Sequence, residues 1–417
     1  MSVICANSWG WVLDARAKID EDVKRCFCLK DGFKETKYFK CGFKNEFFDI
    51  LKPRIQLDVD SKKDDFGKES KMESTGVDLQ RRKKRKRKHR DLNIGEVEAN
   101  IYHDKIRSVV IHGSQALLDA GRQCGFFIEE SIISQKPSSS PIPPECHLAA
   151  LSDLAKELPL SHDSSASVHT LCRGDQDAAL DLFSSITENP FDCACEVTFM
   201  KDKYLLPARS RFLLSDITRM HPLVNSGEKY DLIVLDPPWE NKSVKRSNRY
   251  NWLASSQLKQ LPVPLLAAPG CLVVSWVTNR AKHRQFIKEE LYPLWGIEVM
   301  AEWFWVKVTR SGEFVFPLDS QHKKPYEVLI LGKLNSCREV EESSSAVNTL
   351  PDQKLLLSVP STLHSHKPSL SAVLKPYIPE HPRCLELFAR SLQADWSCWG
   401  NEVIKLQHCQ YFTRETQ

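Results

Sequence analysis

The motif Asp236-Pro237-Pro238-Trp239 directly follows the apolar run Asp231–Leu235 and has the residue types needed to modify the amine of a nucleobase. Such an amine is a poor nucleophile, because its lone pair is delocalised into the ring. A carboxylate and a backbone carbonyl that each accept one amine hydrogen would make the nitrogen pyramidal and reactive, which is preorganised electrostatic catalysis. No strong base is needed, since the amine becomes acidic once it is methylated.

Each residue of this motif has a catalytic interpretation and a structural alternative. Asp236 supplies the carboxylate, while Pro237 and Pro238 fix φ and stiffen a turn whose carbonyls face the pocket. Trp239 offers a flat face on which an extruded base can stack. Alternatively, Asp-Pro-Pro only ends a strand and Trp239 packs in the core. A tetrapeptide alone leaves both interpretations open.

The loop after the motif, residues 240–250, is rich in basic side chains. Its cationic residues are Lys242, Lys245, Arg246 and Arg249. A basic patch of this kind is expected to hold the phosphates around an extruded nucleotide. Tyr250 and Trp252 are candidates for stacking on flanking bases. The alternative is a solvated surface loop.

A second loop, His364–Pro368, contains two histidines and Lys367. Histidines two residues apart raise the question of a metal ion, but no cysteine or carboxylate nearby completes a ligand set. The C-x-C pairs at 26–28 and 193–195 also lack a second pair at zinc-like spacing. The sequence therefore predicts no metal, and fourteen scattered cysteines are expected to be reduced, mostly buried thiols.

Alternating strands and helices after residue 190 must position these residues. Strands are predicted at Asp231–Leu235, Cys271–Val277, Val299–Val308, Tyr326–Leu331, Lys354–Val359 and Cys384–Leu387. A helix is predicted at Asn279–Leu291. The alternation predicts an α/β fold, a Rossmann-like open sheet with ligands at the carboxyl ends of the strands. Val299–Val308 is apolar on both faces, which favours a central strand.

Upstream of this α/β domain, 191–417, the chain divides into three predicted regions. These are a small N-terminal element (1–57), a disordered basic linker (58–95) and a helical region with a Ser/Pro insert (96–190). Glu96–Gln123 is predicted as an amphipathic helix whose apolar face includes Ile101, Val109 and Leu117. Further helices are predicted at His147–Glu157 and Asp175–Ile186.

Basic charge is concentrated in one segment of the chain. The formal net charge is +4, from 58 Lys and Arg against 54 Asp and Glu, but Arg81–Arg90 holds nine of the basic residues. The remainder is slightly acidic, so attraction for nucleic acid must come from local patches. Nuclear import is the first interpretation of the run, with a cytosolic or mitochondrial location also considered. A phosphate-binding tail and a solvated charge block are its alternatives.

A membrane location is not expected, because no window approaches the roughly 18 consecutive apolar residues of a membrane span. The apolar share of 41% suits a globular protein with a substantial core.

Taken together, the motifs resemble the MT-A70 family of adenine-N6 methyltransferases. The segments that carry the resemblance are YLLP (204–207), FLLSDI (212–217), DPPWENKSVKRSNRY (236–250), WVTNR (276–280), FIKEELYP (286–293), SGEFVFPLDS (311–320), LHSHKP (363–368), LELFAR (385–390) and WGNE (399–402). They span nearly all of residues 200–412. The resemblance implies S-adenosylmethionine as methyl donor and the N6 amino group of adenine in nucleic acid as target.

The resemblance also implies which residues bind donor and target. On the donor side they are Asp216, Ile217, Asp236, Lys367, Glu386, Phe388, Arg390, Asn401 and Glu402, and on the target side His366 joins the basic loop. Carboxylates and amides suit ribose hydroxyls, and Arg390 suits the donor carboxylate. The alternatives are that the strand-end carboxylates cap helices and that Arg390 is a surface charge. The catalytic motif precedes LELFAR, a permuted order, and no G-x-G loop follows this strand.

The sequence is compatible with several substrates and functions. The resemblance implies adenosines in small nuclear RNA, including ones already methylated on the ribose 2′ oxygen, with DNA adenine or cytosine N4 as other targets. A catalytically silent RNA-binding partner subunit and an adaptor are further alternatives, although the retained Asp236 favours an enzyme. Since the chain carries its own catalytic turn, donor strand and basic loops, we expect activity without a family partner subunit.

Overall fold

Two β-sheets form the framework of the protein. The structure, a computed structural model, describes residues 2–29, 37–54, 94–128, 146–155, 168–173, 182–199, 201–240, 252–320, 323–335 and 348–415. Within these residues the strands are β1 (Val3–Asn7), β2 (Gly10–Leu13), β3 (Cys26–Cys28), β4 (Tyr38–Phe43), β5 (Val168–Thr170), β6 (Ile186–Glu188), β7 (Ala194–Phe199), β8 (Asp202–Leu206), β9 (Arg211–Leu214), β10 (Tyr230–Leu235), β11 (Ala267–Val277), β12 (Ile297–Lys307), β13 (Tyr326–Leu334), β14 (Leu355–Ser358), β15 (Cys384–Leu387), β16 (Trp396–Gly400) and β17 (Phe412–Glu415).

The helices of the described residues are mostly short. They are α1 (Ala17–Asp22), α2 (Ile94–Gln123), α3 (Leu148–Leu154), α4 (His221–Asn225), α5 (Ser255–Lys259), α6 (Val263–Leu266), α7 (Ala281–Gln285), α8 (Tyr292–Leu294) and α9 (Ser371–Leu374), with 3-10 turns at Asn45–Phe47, Ile217–Arg219, Lys375–Tyr377, Lys405–Gln407 and Cys409–Tyr411. None of these helices is long and apolar enough to cross a membrane.

The larger sheet has twelve strands in the order β1-β2-β14-β12-β13-β11-β10-β15-β16-β9-β6-β5. Eight of them, β2, β14, β12, β11, β10, β15, β16 and β9, run in one direction, and β13 is antiparallel to both of its neighbours. Their carboxyl ends therefore lie along one edge, the catalytic edge, where β13 begins. All six predicted strands are present, and the predicted open α/β sheet is confirmed as a mixed sheet.

Alternation along the central strands builds an apolar layer on each face of this sheet. In β12, Phe304 enters one buried cluster while Trp303 and Trp305 enter the other. In β10, Ile233 packs in the first cluster and Val234 in the second. Burial on both faces explains why these strands are nearly continuous apolar runs. The prediction that Val299–Val308 is a central strand is confirmed, because β12 lies between β13 and β14.

The described residues before residue 55 contribute strands to both sheets. β2 pairs with β14 in the larger sheet, while β3 and β4 join β7, β8 and β17 in a smaller sheet of order β17-β4-β3-β7-β8. Gly10 permits the first pairing, because a Cβ at that position would lie 1.9 Å from the Leu355 carbonyl oxygen. A register between segments about 345 residues apart carries no local sequence signal.

The predicted helix at Glu96–Gln123 is confirmed as α2, and two of the three residues predicted for its apolar face lie on the packed side, with Leu117 buried and Val109 partly buried against the core. Ile101 is 54% exposed, whereas His103, Ile106 and Val110 are buried. At Gly113 the helix packs closely against Leu355 and Trp9, because a Cβ at that position would lie 3.0 Å from the side chains of both. Gly113 thus joins Ile106, Val110, Leu117 and Leu118 on the buried face of the helix.

Three other predicted elements differ from the structure. The helix expected at Asn279–Leu291 divides into α7 and a π-helical segment, Phe286–Leu291. The segment FLLSDI (212–217), whose apolar run predicts a strand, forms strand β9 only as far as Leu214, and the helix expected to end at Ile186 instead meets strand β6 there. Residues 174–181 of that predicted helix lie outside the described residues.

Candidate functional site

The Asp236–Trp239 turn directly follows β10, at the centre of the catalytic edge. The Asp236 N–H donates to the Leu387 carbonyl of β15 at 3.2 Å, which ties the turn to the neighbouring strand. The Pro237 carbonyl accepts from the Trp239 N–H at 2.8 Å, and the Pro238 carbonyl accepts from the Leu253 N–H at 3.1 Å. Each carbonyl oxygen has a second lone pair, so either retains capacity for one more donor.

The buried side chain of Trp239 anchors this turn to the core. It is buried, its indole N–H donates to the Trp276 carbonyl at 2.9 Å, and its ring stacks on His283 with centroids 4.8 Å apart. Burial lowers the pKa of His283 to about 4, so this contact is made by a neutral imidazole. The packing alternative is therefore realised at Trp239, and the indole face against His283 is closed to a base.

A chain of alternating charges lies beside the turn. Lys367 Nζ is 3.4 Å from Asp236 Oδ1 and 2.6 Å from Glu327 Oε2, and Lys307 forms a second ion pair with Glu327. These residues come from four segments: the ends of β10 and β12, the start of β13, and the loop after β14. The side chains of Asp236 and Lys367 are only 13% and 12% exposed.

Burial and charge act against each other in this chain. Burial raises the pKa of Asp236, an effect that Lys367 and Arg390 reduce without cancelling. Burial likewise favours a neutral Glu327, yet Lys307 and Lys367 hold its pKa well below the usual range. Burial would lower the pKa of Lys367, but the carboxylates of Asp236 and Glu327 raise it. Lys367 is therefore a fixed cation between two acids.

A cleft of about 710 Å³ opens from Asp236 toward the N-terminal turns of α2. It is large enough for a nucleotide and part of its neighbour. Its lining comes from several elements and comprises residues 95, 96 and 98–100 of α2, 236–239, 276–282, Lys307, Phe316, Lys323, Lys324, Tyr326, Glu327, His364, Ser365, Lys367 and Arg390.

A narrower cavity lies on the other side of Lys367, against β15. Its lining includes Glu386, Phe388 and Gln393. Asp236, Trp276, Ser365, Lys367 and Arg390 line both this cavity and the larger cleft. The predicted catalytic carboxylate thus lies where two cavities meet, as a transfer between two bound molecules requires.

The narrow cavity is about 40 Å³, far smaller than S-adenosylmethionine, but the residue types that line it suit the hydroxyl and carboxylate groups of that expected methyl donor. Burial raises the pKa of Glu386 to about 7, and one of its oxygens accepts from the Gln393 amide at 3.1 Å, which leaves capacity for hydroxyl donors. Arg390 lies 3.3 Å from Glu402 and faces both cavities, and its guanidinium suits a carboxylate. Phe388 adopts a positive φ of 63° immediately after the strand.

Other predicted donor residues do not line either cavity. Asp216 accepts from the backbone N–H and hydroxyl of Thr218 at 2.8 and 2.6 Å, which is the capping alternative, and Ile217 begins that 3-10 turn. Asn401 is exposed, and Glu402 reaches the site only through Arg390.

The predicted substrate residues are placed as follows. His366 is buried, packs on Phe43 and Phe48 with centroids 5.6 and 5.5 Å away, and lies at the narrow cavity rather than at the larger cleft. Burial lowers its pKa to about 4. Trp252 is 37% exposed. The remaining predicted residues, Lys242, Lys245, Arg246, Arg249 and Tyr250, lie outside the described residues, as does Arg81–Arg90.

Sequence reasoning missed Lys307, Glu327, Phe316 and the contribution of α2 to the cleft. Lys307 ends β12 and Glu327 follows the first residue of β13, so strand-end position was an available signal for both. Among the described residues, no group of three or more His, Cys, Asp or Glu side chains is arranged to hold a metal ion.

Comparison with known proteins identifies the same region. Residues 230–402 match the family model described as MT-A70. The chain is 47% identical over 385 residues to "N(6)-adenine-specific methyltransferase METTL4" of Homo sapiens, an alignment that covers 89% of this chain and 81% of that protein.

Two more distant relatives carry names that refer to different polymers. "N6-methyladenosine RNA methyltransferase MTA1" of Pyricularia oryzae is 34% identical over 50% of this chain and 56% of its own length. "DNA N6-methyl methyltransferase" of Caenorhabditis elegans is 37% identical over 51% of this chain and 56% of its own length.

Proposed function

The chain belongs to the MT-A70 family of methyltransferases, and from this premise we propose that it methylates the N6 amino group of adenine in nucleic acid. The observation that carries this proposal is the meeting of two cavities at Asp236 and Lys367. The larger cleft receives the target adenine, and the narrow cavity receives the donor.

Asp236 activates the amine in this proposal. S-adenosylmethionine, when bound, supplies an electrophilic methyl group on a sulfonium centre. Asp236 accepts one N6 hydrogen, and a carbonyl of Pro237 or Pro238 accepts the other with its second lone pair, which localises the nitrogen lone pair. Methylation would leave N6 with a positive charge. The nitrogen then loses a proton to the carboxylate or to water.

Lys367 keeps Asp236 in its ionised and oriented state. Without a cation, burial would favour the protonated acid, which cannot accept the amine hydrogen. Glu327 and Lys307 hold the Lys367 ammonium group in position from the opposite side. The cost of burying these charges is offset because each has a partner of opposite sign.

Donor binding is assigned mainly to the narrow cavity. Glu386 is placed to accept from ribose hydroxyls, Arg390 to bind the carboxylate, and Phe388 to pack beside the donor. β15, which carries Glu386, follows β10 in the chain, so we also propose the permuted motif order. Asp216, Ile217, Asn401 and Glu402 retain a proposed role at the outer margin of this site.

We propose RNA as the substrate, specifically adenosines of small nuclear RNA, including 2′-O-methyladenosine. The relatives named for RNA and for DNA are about equally similar to this chain, so DNA is the alternative substrate. Lys242, Lys245, Arg246 and Arg249 are proposed to bind phosphates beside the target, with Tyr250 stacking on a base.

We further propose that the enzyme acts in the nucleus and without a partner subunit. The basic run Arg81–Arg90 supports nuclear import. Partner independence is supported by α2, which lines the cleft from within the same chain and is held to it by bonds from His103 to Tyr326 at 3.0 Å and to Asp319 at 3.2 Å.

The decisive experiment measures methyl transfer from labelled S-adenosylmethionine to matched RNA and DNA oligonucleotides, followed by digestion to nucleosides. We expect label in N6-methyladenosine, reduced about 100- to 1,000-fold in Asp236→Asn. Donor binding, measured by calorimetry, should be retained in the variant. A variant that turns over normally would contradict the assignment of Asp236, and a higher rate on DNA would replace RNA as substrate.

A further inference from the structure

Phe316 is an aromatic residue of the larger cleft that the proposed reaction does not use. It lies in the loop between β12 and β13, is half-buried, and packs in part against the core. Two cations lie near its ring: Lys323 Nζ is 5.3 Å and the Arg54 guanidinium carbon 6.0 Å from the centroid. An aromatic ring accompanied by cations at the rim of a nucleotide cleft has the composition of a stacking platform for single-stranded nucleic acid.

Lys323 and Lys324 bring positive charge to the same rim, where Asp319 and Asp104 are the carboxylates that act on Lys324. Neither forms a salt bridge with a carboxylate of the described residues. Asp319, whose negative charge acts on Lys324, is already bound by Arg107 through two hydrogen bonds of 2.8 and 2.9 Å. Lys307, deeper in the cleft, is in contrast paired with Glu327. The cations available for phosphate therefore lie beside Phe316.

The loop that carries Phe316 is held in place before any ligand binds. At its far end Asp319 is fixed by Arg107 and His103 of α2, and at its near end the Thr309 and Val315 N–H groups bond to the Glu313 and Lys307 carbonyls at 2.8 and 3.0 Å. A platform anchored on both sides loses little conformational entropy when a base stacks on it.

We propose that Phe316, Lys323 and Lys324 form a second nucleotide subsite, in which a base adjacent to the target adenine stacks on Phe316 and its phosphate binds the two lysines. This inference rests on the proposed function, and it adds that the enzyme recognises a strand rather than a single nucleotide. Stacking of a base on an aromatic ring is stronger than an exposed cation–π contact, so the base displaces Lys323 from the ring toward the phosphate.

The test combines a protein substitution with a substrate substitution. Methyl transfer is measured for the wild type and Phe316→Ala on oligonucleotides that are intact or carry an abasic residue immediately 5′ or 3′ of the target adenine. On the intact strand Phe316→Ala should lower kcat/KM by about 10-fold. On the strand that lacks the stacked base, the wild type should fall by a similar factor and the variant should lose nothing further. Independent, multiplicative losses in both abasic arms would overturn the subsite.

Phe314→Ala is the matched control for this experiment. Phe314 belongs to the same loop and packs on the core, but it does not line the cleft. Any loss in this variant should be the same factor on all three strands. Coupling of Phe314→Ala to the abasic positions as strong as that of Phe316→Ala would count against the platform.

Binding of a fluorescent oligonucleotide tests the lysines without catalysis. In Lys323→Gln/Lys324→Gln the slope of log K against log salt should decrease by about 0.7, the value for one phosphate on a single strand. Lys375→Gln, an exposed lysine away from the cleft, should leave the slope unchanged. An unchanged slope in the double variant would refute the phosphate contact. A reduced slope in a protein that transfers no methyl group would retain the subsite and reject the proposed function.

Discussion

Glu327 at the larger cleft and Glu386 in the narrow cavity are buried carboxylates on the same edge of one sheet, yet their pKa values shift in opposite directions. Burial by itself raises the pKa of both carboxyl groups. At Glu327 the ammonium groups of Lys307 and Lys367 outweigh it, and the pKa falls well below the usual range. At Glu386 the polar partner is the Gln393 amide, and the pKa rises to about 7. Partners, rather than depth of burial, decide which carboxylate keeps its charge.

Asp236 links these two environments. It shares Lys367 with Glu327, and its negative charge contributes to the raised pKa of Glu386. At the larger cleft, Glu327 and Lys367 therefore keep their charges. In the narrow cavity, Glu386 has a pKa of about 7 and titrates near neutral pH. Three substitutions test this difference between the two carboxylates.

Lys367→Met should have the largest effect, because it removes the cation common to Asp236 and Glu327. We expect kcat to fall about 100-fold. Loss of the cation raises the pKa of Asp236 further, so the acid limb of the pH–rate profile should move to higher pH and residual activity should increase with pH. Lys367→Arg is the control that retains the charge. An acid limb unchanged in Lys367→Met would show that Lys367 does not set the ionisation of Asp236.

Glu386→Gln should have an intermediate effect that depends on pH. The pKa of Glu386 is about 7 in the folded protein against an ordinary 4.5, so its ionisation costs nothing below pH 4.5 and most above pH 7. The variant should match the wild type near pH 4.5 and gain roughly 2 kcal/mol in unfolding free energy at pH 8. Urea unfolding measures the difference. The control is Glu289→Gln, at an exposed site, whose effect on stability should not change in this way with pH. Equal stability of the wild type and Glu386→Gln at pH 8 would contradict the raised pKa of Glu386 and so its difference from Glu327.

His366→Phe should have the smallest effect. Burial lowers the pKa of His366 to about 4 from an ordinary 6.5, so the unfolded chain binds the proton first, and wild-type stability decreases as pH falls from 6.5 to 4. The variant should lose part of this acid sensitivity, while the exposed His381→Gln should not. Oligonucleotide affinity should change less than twofold, given the packing of His366 on Phe43 and Phe48. A large loss of affinity would restore its predicted contact with substrate.

The sequence revealed those parts of the site that are contiguous in the chain. Asp236–Trp239 and Cys384–Phe388 could be recognised because an apolar strand leads directly into chemically distinctive residues. The Lys307–Glu327–Lys367 arrangement could not be recognised, because its members lie 20 and 40 residues apart and meet only through strand pairing. The two interpretations of Trp239 could not be separated for a similar reason, since its stacking partner His283 comes from the next strand–helix unit.

The N-terminal strands show the same limit at the level of the fold. Nothing in Val3–Leu13 indicates that β2 will pair with Leu355–Ser358, because the signal is a glycine whose missing side chain lets two backbones approach. On α2, Gly113 and Gly121 likewise extend the buried face beyond its apolar residues. Close contacts made by absent side chains leave no apolar periodicity to detect.

That pairing has a consequence for biosynthesis. β2 can complete its ladder only after Leu355–Ser358 has left the ribosome, which at about 5–20 residues per second is tens of seconds after β2 itself. Until then β1 and β2 have an unsatisfied edge and an uncovered apolar face, the condition in which nascent chains bind chaperones or aggregate. Placing rare codons between β13 and β14 would lengthen this interval, and the yield of soluble enzyme should decrease accordingly.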